Sequence, residues 1–177
     1  TYHSGPEFKS IPINFACFKA VGQLDANGSR WLLGDHLGHL YVLVLANSNG
    51  IVTSLALEKL GQTSQASTLS YLDNGVVFVG STDKMLHAVD AATGKKVWQS
   101  PLTGKKGPAS SPLYHEGTVY LQQAPLSAYD TKSGQELWTN KDVVTTNSSP
   151  AVCKGIILAN SKNTLNGIDA YSCLLYT

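Results

Sequence analysis

Charge is scarce in this chain. Charged residues make up 14% of the 177 and leave a formal net charge of +1, against the roughly 25% usual in globular domains. No basic face follows, which argues against nucleic acid and anionic membrane as partners. Cysteine is sparse too. Cys17, Cys153 and Cys173 form an odd, widely spaced set without a Cys-x-x-Cys, so neither a zinc site nor a dithiol redox motif is indicated. Reduced, buried thiols are the expectation, with one disulfide as the alternative. No apolar run is long enough to span a bilayer. The first residues lack the basic-then-apolar layout of a signal peptide, and no compartment is indicated. Helical periodicity is almost absent. What is present is a chain 42% hydrophobic, enough for one compact domain with a real core.

The apolar residues come in short runs, and the runs repeat. Ala88-Val89-Asp90-Ala91-Ala92-Thr93-Gly94-Lys95-Lys96-Val97-Trp98 and Ala128-Tyr129-Asp130-Thr131-Lys132-Ser133-Gly134-Gln135-Glu136-Leu137-Trp138 share Ala-x-Asp-x-x-Ser/Thr-Gly-x-x-x-Trp, 40 residues apart. Asp bonds its own backbone a few residues on and Gly supplies a positive φ, so each segment is a hairpin turn between two strands. Upstream of the second hairpin, Ser110-Ser111-Pro112 leads into Leu113-Tyr114-His115-Glu116-Gly117-Thr118-Val119-Tyr120-Leu121. Ser148-Ser149-Pro150 leads into Ala151–Ala159 in the same way, shifted by 38. Tyr71–Gly80 plays that part earlier. Each is a strand, a tight Gly turn and a second strand.

Each unit is therefore four antiparallel strands, A to D, in about 40 residues, the spacing of propeller blades. The B strands (Val76–Val79, Thr118–Leu121, Ile156–Ala159) are apolar at successive positions, as suits sheets covered on both faces. The expected fold is an all-β propeller of four four-stranded blades forming one domain over residues 1–177. The blades cover about 17–60, 67–100, 109–140 and 147–171. In the first, Trp31–Gly34 is strand B, Leu40–Leu45 strand C and Asn47–Gly50 the hairpin turn. The fourth runs out near Asp169–Ser172, where Cys173 replaces the turn Gly. Ser4-Gly5-Pro6-Glu7-Phe8 lines up with Ser133-Gly134-Gln135-Glu136-Leu137, so the N-terminal segment 5–13 is expected to supply the missing strand and close the ring, leaving no free edge. Two rivals stay open: a half-propeller that pairs with a second copy into eight blades, and a fourth blade closed by Leu174–Tyr176.

On these motifs, residues 75–172 resemble the quinoprotein (PQQ-like) repeat family. That family includes eight-bladed alcohol dehydrogenases and non-enzymatic members such as an outer-membrane assembly lipoprotein. The resemblance implies a blade-docking role for Trp98 and Trp138. A second resemblance lies upstream. Glu7–Ile13, Asp25-Ala26-Asn27-Gly28-Ser29-Arg30-Trp31-Leu32-Leu33-Gly34-Asp35 and Tyr71–Ser81 are similar to the large subunits of UV-damaged-DNA-binding complexes, multi-propeller adaptors of cullin–RING ubiquitin ligases. One resemblance passes into the other near Gly80-Ser81, inside a blade. A junction of two lineages there suggests an engineered chimeric propeller.

The quinoprotein resemblance also implies a quinone cofactor, a calcium ion on acidic and amide side chains, a catalytic Asp and, in many members, a disulfide of adjacent cysteines. No two cysteines adjoin here, and about half the blades are present. Asp90, Asp130 and Asp169 fall at hairpin turns and are read as turn formers. His36 and His39, beside Asp35, have the residue types of a transition-metal pair but no third ligand by spacing, and are read as a solvated turn. His87 and His115 stand isolated, with no Ser or Cys motif around them, and are read as hydrogen-bonded structural residues. No Gly-x-Ser-x-Gly elbow is present. Lys95-Lys96 and Lys105-Lys106 are read as solubilising surface, and the Asn27 and Asn147 glycosylation patterns carry no weight without a secretory leader. The A strands should line a narrow central channel.

No catalytic, cofactor-binding or metal residue is assigned, and no substrate or cofactor is expected. Self-association through blade edges and an unidentified protein partner are the remaining interactions. The functional expectation is a non-enzymatic scaffold. A protein-interaction module is the alternative, and a fragment of a quinoprotein-type enzyme ranks below both.

Overall fold

Short β-branched and aromatic runs, cut by glycine turns, become sixteen strands among the described residues of the computed structural model. It describes residues 18–23, 29–35, 39–48, 51–62, 66–73, 75–81, 83–104, 110–144 and 148–176. The strands group by fours into four antiparallel sheets, each paired in chain order. The first sheet is β1 (Phe18–Gln23), β2 (Arg30–Asp35), β3 (His39–Ser48) and β4 (Ile51–Gln62). The second is β5 (Ala66–Asp73), β6 (Val76–Ser81), β7 (Met85–Asp90) and β8 (Lys96–Pro101). The third is β9 (Leu113–His115), β10 (Thr118–Gln122), β11 (Leu126–Asp130) and β12 (Glu136–Asn140). The fourth is β13 (Ala151–Cys153), β14 (Ile156–Ser161), β15 (Thr164–Asp169) and β16 (Leu175–Tyr176). No helix occurs among the described residues.

In the third and fourth sheets the turn joining first and second strands takes two left-handed residues in a row. Glu116 (φ 44°) with Gly117 (φ 78°), and Lys154 (φ 50°) with Gly155 (φ 74°), give the primed twist that matches flanking strands.

Second strands are buried along almost their whole length in β6 and β10; β10 has the second sheet on one side and the fourth on the other. One face of the second sheet, with Phe78, Leu86 and Ala88, packs on Val119, Leu121 and Tyr129 of the third. The opposite face of the third, with Tyr120, Leu126 and Ala128, packs on Ile157, Ala159 and Ile168 of the fourth. These are one step taken twice: the forward face of one sheet covers the rear face of the next. The segments leaving the fourth strands add Leu102 and Val143 to the two cores. Leu126 is fully buried, a contribution of about 1.5–3 kcal/mol from that side chain alone. First strands sit side by side, β1 with β5, β5 with β9 and β9 with β13. At the last of these steps Ser111 N donates to Ser149 Oγ at 2.9 Å, tying together the two repeated Ser-Ser-Pro segments.

The end of the fourth sheet differs from the leading expectation. The chain turns after Asp169, and Leu175 and Tyr176 pair with Ile168 and Gly167 as the fourth strand. That is the rival placement, and it occupies the edge assigned to segment 5–13, which itself lies outside the described residues. Leu165 in β15 is 71% exposed, so the forward face of this sheet is uncovered. Closure of the ring within one chain is not seen on that face.

Candidate functional site

The residues that repeat are those that join one sheet to the next. At the turn after β7, Asp90 Oδ1 accepts hydrogen bonds from Ala92 N (3.1 Å), Thr93 N (2.7 Å) and Thr93 Oγ1 (2.7 Å). The backbone closes with Gly94 N donating to Asp90 O at 2.8 Å, Gly94 having φ 69°. Asp130 Oδ1 repeats this with Lys132 N (3.2 Å), Ser133 N (2.7 Å) and Ser133 Oγ (2.6 Å). Asp169 Oδ1 does so again with Tyr171 N (3.1 Å), Ser172 N (2.8 Å) and Ser172 Oγ (2.8 Å). In this third turn Cys173 takes the glycine's place at φ 62°, and its N donates to Asp169 O at 3.1 Å.

All three carboxyls titrate below the ordinary 3.8, Asp90 and Asp130 chiefly through the hydroxyls of Thr93 and Ser133, Asp169 chiefly through the backbone of Ser172. A carboxyl whose pKa is depressed by folding stabilises the fold above its unfolded pKa and ceases to do so as pH falls through the folded value. Thermal unfolding followed from about pH 6 to about pH 2 should therefore show a loss of stability below about pH 4. The triple variant with Asn at 90, 130 and 169 should flatten it; an unchanged slope would mean the turns do not hold ionised carboxylates.

The second and third of these turns each receive a tryptophan from the preceding sheet. Trp98, across from Ala88 in the second sheet, donates from Nε1 to Thr131 O at 2.8 Å. Its ring packs on Gly134 so closely that a Cβ there would lie 2.7 Å from Cε3. Trp138, across from Ala128, donates from Nε1 to Ala170 O at 3.2 Å. Tyr120 Oη donates to that same carbonyl at 3.1 Å, and the Tyr120 and Trp138 rings lie 5.7 Å apart. Exposed bonds join the same sheets: Tyr171 Oη donates to Glu116 Oε2. The docking role expected of Trp98 and Trp138 is thus visible in their contacts.

The other candidates do not converge. His87 is a hydrogen-bonded residue of β7, as read from the sequence: it is 6% exposed, and its Nε2 lies 2.9 Å from Asp83 Oδ2 across the turn before β7. Burial pushes the Asp83 carboxyl up, but the hydrogen bonds from His87 and Ser81 outweigh this and hold it below the ordinary value. An acidic residue four positions before the histidine was the signal for this pair. His39 lies in β3 with its ring 6.1 Å from Tyr41; His36 and Lys105-Lys106 lie outside the described residues. His115 is a half-buried residue of β9. Lys96 Nζ donates to Gln99 Oε1 at 2.7 Å. Among the described residues no three His, Cys, Asp or Glu side chains are grouped to hold a metal. Buried thiols were expected, but Cys153 is exposed on the short first strand β13 and Cys173 is half-buried, both free; Cys17 lies outside the described residues. A pocket of about 580 Å³ between the turn after β12 and the β14–β15 turn is lined by Lys141, Asp142, Val144, Ser161, Lys162, Asn163 and Thr164.

These residues do not fit a quinone dehydrogenase site. Oδ1 of each of Asp90, Asp130 and Asp169 already accepts three turn hydrogen bonds, and the three belong to three different sheets.

Comparison with known proteins gives two kinds of relative. DNA damage-binding protein 1a of Arabidopsis thaliana is 54% identical over 81 residues, which are 46% of this chain and 7% of that protein. DNA damage-binding protein 1 of Solanum lycopersicum is 53% identical over 81 residues, again 46% and 7%. The chain thus spans a small fraction of the plant proteins it matches. Among solved structures, BamB from Moraxella catarrhalis superposes with a TM-score of 0.66 at 22% identity, covering 90% of this chain and 49% of that one. The computationally designed Ika4 protein gives 0.67 at 16% identity, covering 92% and 97%; at these identities the likeness concerns the fold alone. The family model described as outer membrane protein assembly factor BamB matches residues 41–172, and the chain belongs to that β-propeller family of PQQ-type repeats.

Proposed function

We propose that this chain is a non-enzymatic β-propeller scaffold in which the repeat signature does structural work. The observation that carries this reading is the use made of the signature itself. Asp forms the turn, Gly admits the tryptophan ring and Trp bonds the next sheet, so none of the three is left to act on a substrate. The propeller reading rests on the same docking step taken between consecutive sheets with their first strands side by side. The pairing of plant-type identity over 81 residues with a BamB-type match over residues 41–172 supports a recombined origin.

A binding experiment tests the absence of quinone chemistry. Adding the quinone cofactor with calcium should change neither absorbance nor Tm. A ligand bound to the folded state at one hundred times its Kd would add about 2.7 kcal/mol, and such a rise would overturn the scaffold reading.

A protein-interaction module is the second reading. It is favoured by the names of the relatives, one an assembly factor and the others damage-DNA binders. A broad interaction screen separates the two: a specific protein partner with Kd below about 1 µM, some 8 kcal/mol of binding free energy, replaces the inert scaffold by the module.

A further inference from the structure

The fourth sheet carries a complete docking face that none of the described residues covers. By register, Leu165 (paired with Asn160) occupies the place of Leu86 (paired with Gly80) and Leu126 (paired with Gln122). Leu86 and Leu126 are fully buried, whereas Leu165 is 71% exposed. Tyr176, across from Gly167, occupies the place of Trp98 across from Ala88 and Trp138 across from Ala128. Both tryptophans reach the turn of a following sheet, but Tyr176 is 56% exposed. Leu158 and Ile156, on the same face, are half-buried. Burial of Ile157, Ala159 and Ile168 on the other face is complete, so the exposure belongs to one side of the sheet and not to a frayed end.

The start of the chain has the matching deficit. Aligning Leu33-Gly34 with Val79-Gly80 and Leu40-Tyr41-Val42 with Leu86-His87-Ala88 places the directly paired Trp31 and Leu43 where the second sheet has Val77 and Val89. These two are 1% and 4% exposed, and their counterparts Val119 and Tyr129 are fully buried, the latter pair under the preceding sheet. Trp31 and Leu43 remain half-buried, although Leu33 and Tyr41 beside them on the same face are 7% and 5% exposed; Val42 on the opposite face is fully buried. An uncovered forward face at one end and an incompletely covered rear face at the other are the two halves of the contact already made twice inside the chain.

We infer that a second copy of this chain covers the open face, its first sheet docking on the Leu158, Leu165 and Tyr176 surface. The same contact made in return by the first copy's own first sheet closes the pair into one ring of eight sheets. Copies joined head to tail form a ring when the rotation closes. A half-turn per copy agrees with the superposition of 90% of this chain on 49% of the BamB chain. The interface is continuous with the blade-to-blade interface of the fold and needs no new chemistry. It goes beyond the scaffold reading and stands or falls separately from it, since an assembled ring can be inert and a binding module can be a single chain.

The test is the mass in solution of the 177-residue chain at about 10 µM and above, a range in which an interface of blade-to-blade quality should be populated. Expected is twice the 18.9 kDa of one chain, falling to the single-chain mass for Leu165→Asp, with its circular dichroism unchanged because position 165 is exposed in the single chain. Leu43→Asp should dissociate the pair from the other side. Mixing the two variants should partly restore the doubled mass, since a mixed pair retains one intact interface. A wild-type chain of single mass would overturn the inference, as would a ladder of masses above two copies or a doubled mass insensitive to Leu165→Asp.

Discussion

Gly134→Ala is expected to destabilise the protein by about 2–5 kcal/mol, lowering Tm by roughly 5–15 °C for a domain of this size. Two costs add. The residue sits at φ 75°, where an L side chain loses about 1–2 kcal/mol. Its new Cβ would also lie 2.7 Å from Trp98 Cε3 and 2.8 Å from Cδ2. The ring is held by its bond to Thr131 O and by Phe78, whose ring centroid is 5.8 Å away, so it cannot give way without losing one of them. Gly117→Ala provides the comparison. Its φ is 78°, yet nothing lies within 4 Å of the added Cβ, so only the backbone cost of about 1–2 kcal/mol remains. Denaturant unfolding of both variants separates strain from collision. Equal losses would mean that Trp98 does not press on Gly134.

Trp138→Ala should cost about 2–4 kcal/mol, somewhat below the range for a wholly buried tryptophan, because this side chain is half-buried. The loss is one of packing at a seam, against Tyr120 of the same sheet and the cluster that holds Ile157, Ala159 and Ile168 of the fourth. Trp138→Phe should cost much less. It keeps most of the packing and gives up one hydrogen bond, about 0.5–1.5 kcal/mol. Ala170 O still accepts from Tyr120 Oη at 3.1 Å, so no buried carbonyl is orphaned. Against a total stability of about 5–15 kcal/mol, the alanine variant should open the seam between third and fourth sheets. The readout is urea unfolding with circular dichroism. A phenylalanine variant as damaged as the alanine one would locate the stabilisation in the hydrogen bond instead.

The repeated turns and the run of buried second strands were legible because both are encoded locally. Four contiguous residues, Asp-x-x-Ser/Thr, contain both ends of the bonds that make the turn, and the following Gly admits the left-handed backbone. Successive apolar residues in Val76–Val79 and Thr118–Leu121 announce cover on both faces.

The fourth hairpin was illegible for the same reason in reverse. Cys173 where a Gly was expected reads as the end of the pattern, yet the three bonds to Asp169 Oδ1 and that from Asp169 N to Leu174 O hold the turn. The left-handed cysteine costs about 1–2 kcal/mol, which these bonds offset. Tyr176 could not be matched to Trp98 and Trp138 by spacing. Val89 pairs with Lys96 and Tyr129 with Glu136 beside a bulge, whereas Ile168 pairs with Leu175 in continuous register. The absent bulge shifts the docking aromatic by one position, and only the register shows it.

That His87 is hydrogen-bonded was legible, but its partner was not named: Asp83 four positions earlier was the available signal, and the two residues stand on either side of a turn. The choice of the fourth strand of the last sheet was limited by the same local logic. Alignment of residues 4–8 with 133–137 says which segment could be a fourth strand, not which segment reaches the edge first.

The proposal that the signature joins sheets is most directly tested by a double-mutant cycle of Trp98→Ala and Gly134→Ala, measured by equilibrium unfolding. With the ring removed, the Cβ at position 134 has room, and Gly134→Ala should then cost about 1–2 kcal/mol, as Gly117→Ala does. The expected coupling is about 1–3 kcal/mol, in the direction that makes the double variant less damaged than the sum of the single ones. Costs that add to within about 0.5 kcal/mol would contradict it, and would mean that the second and third sheets are not joined through Trp98 and Gly134.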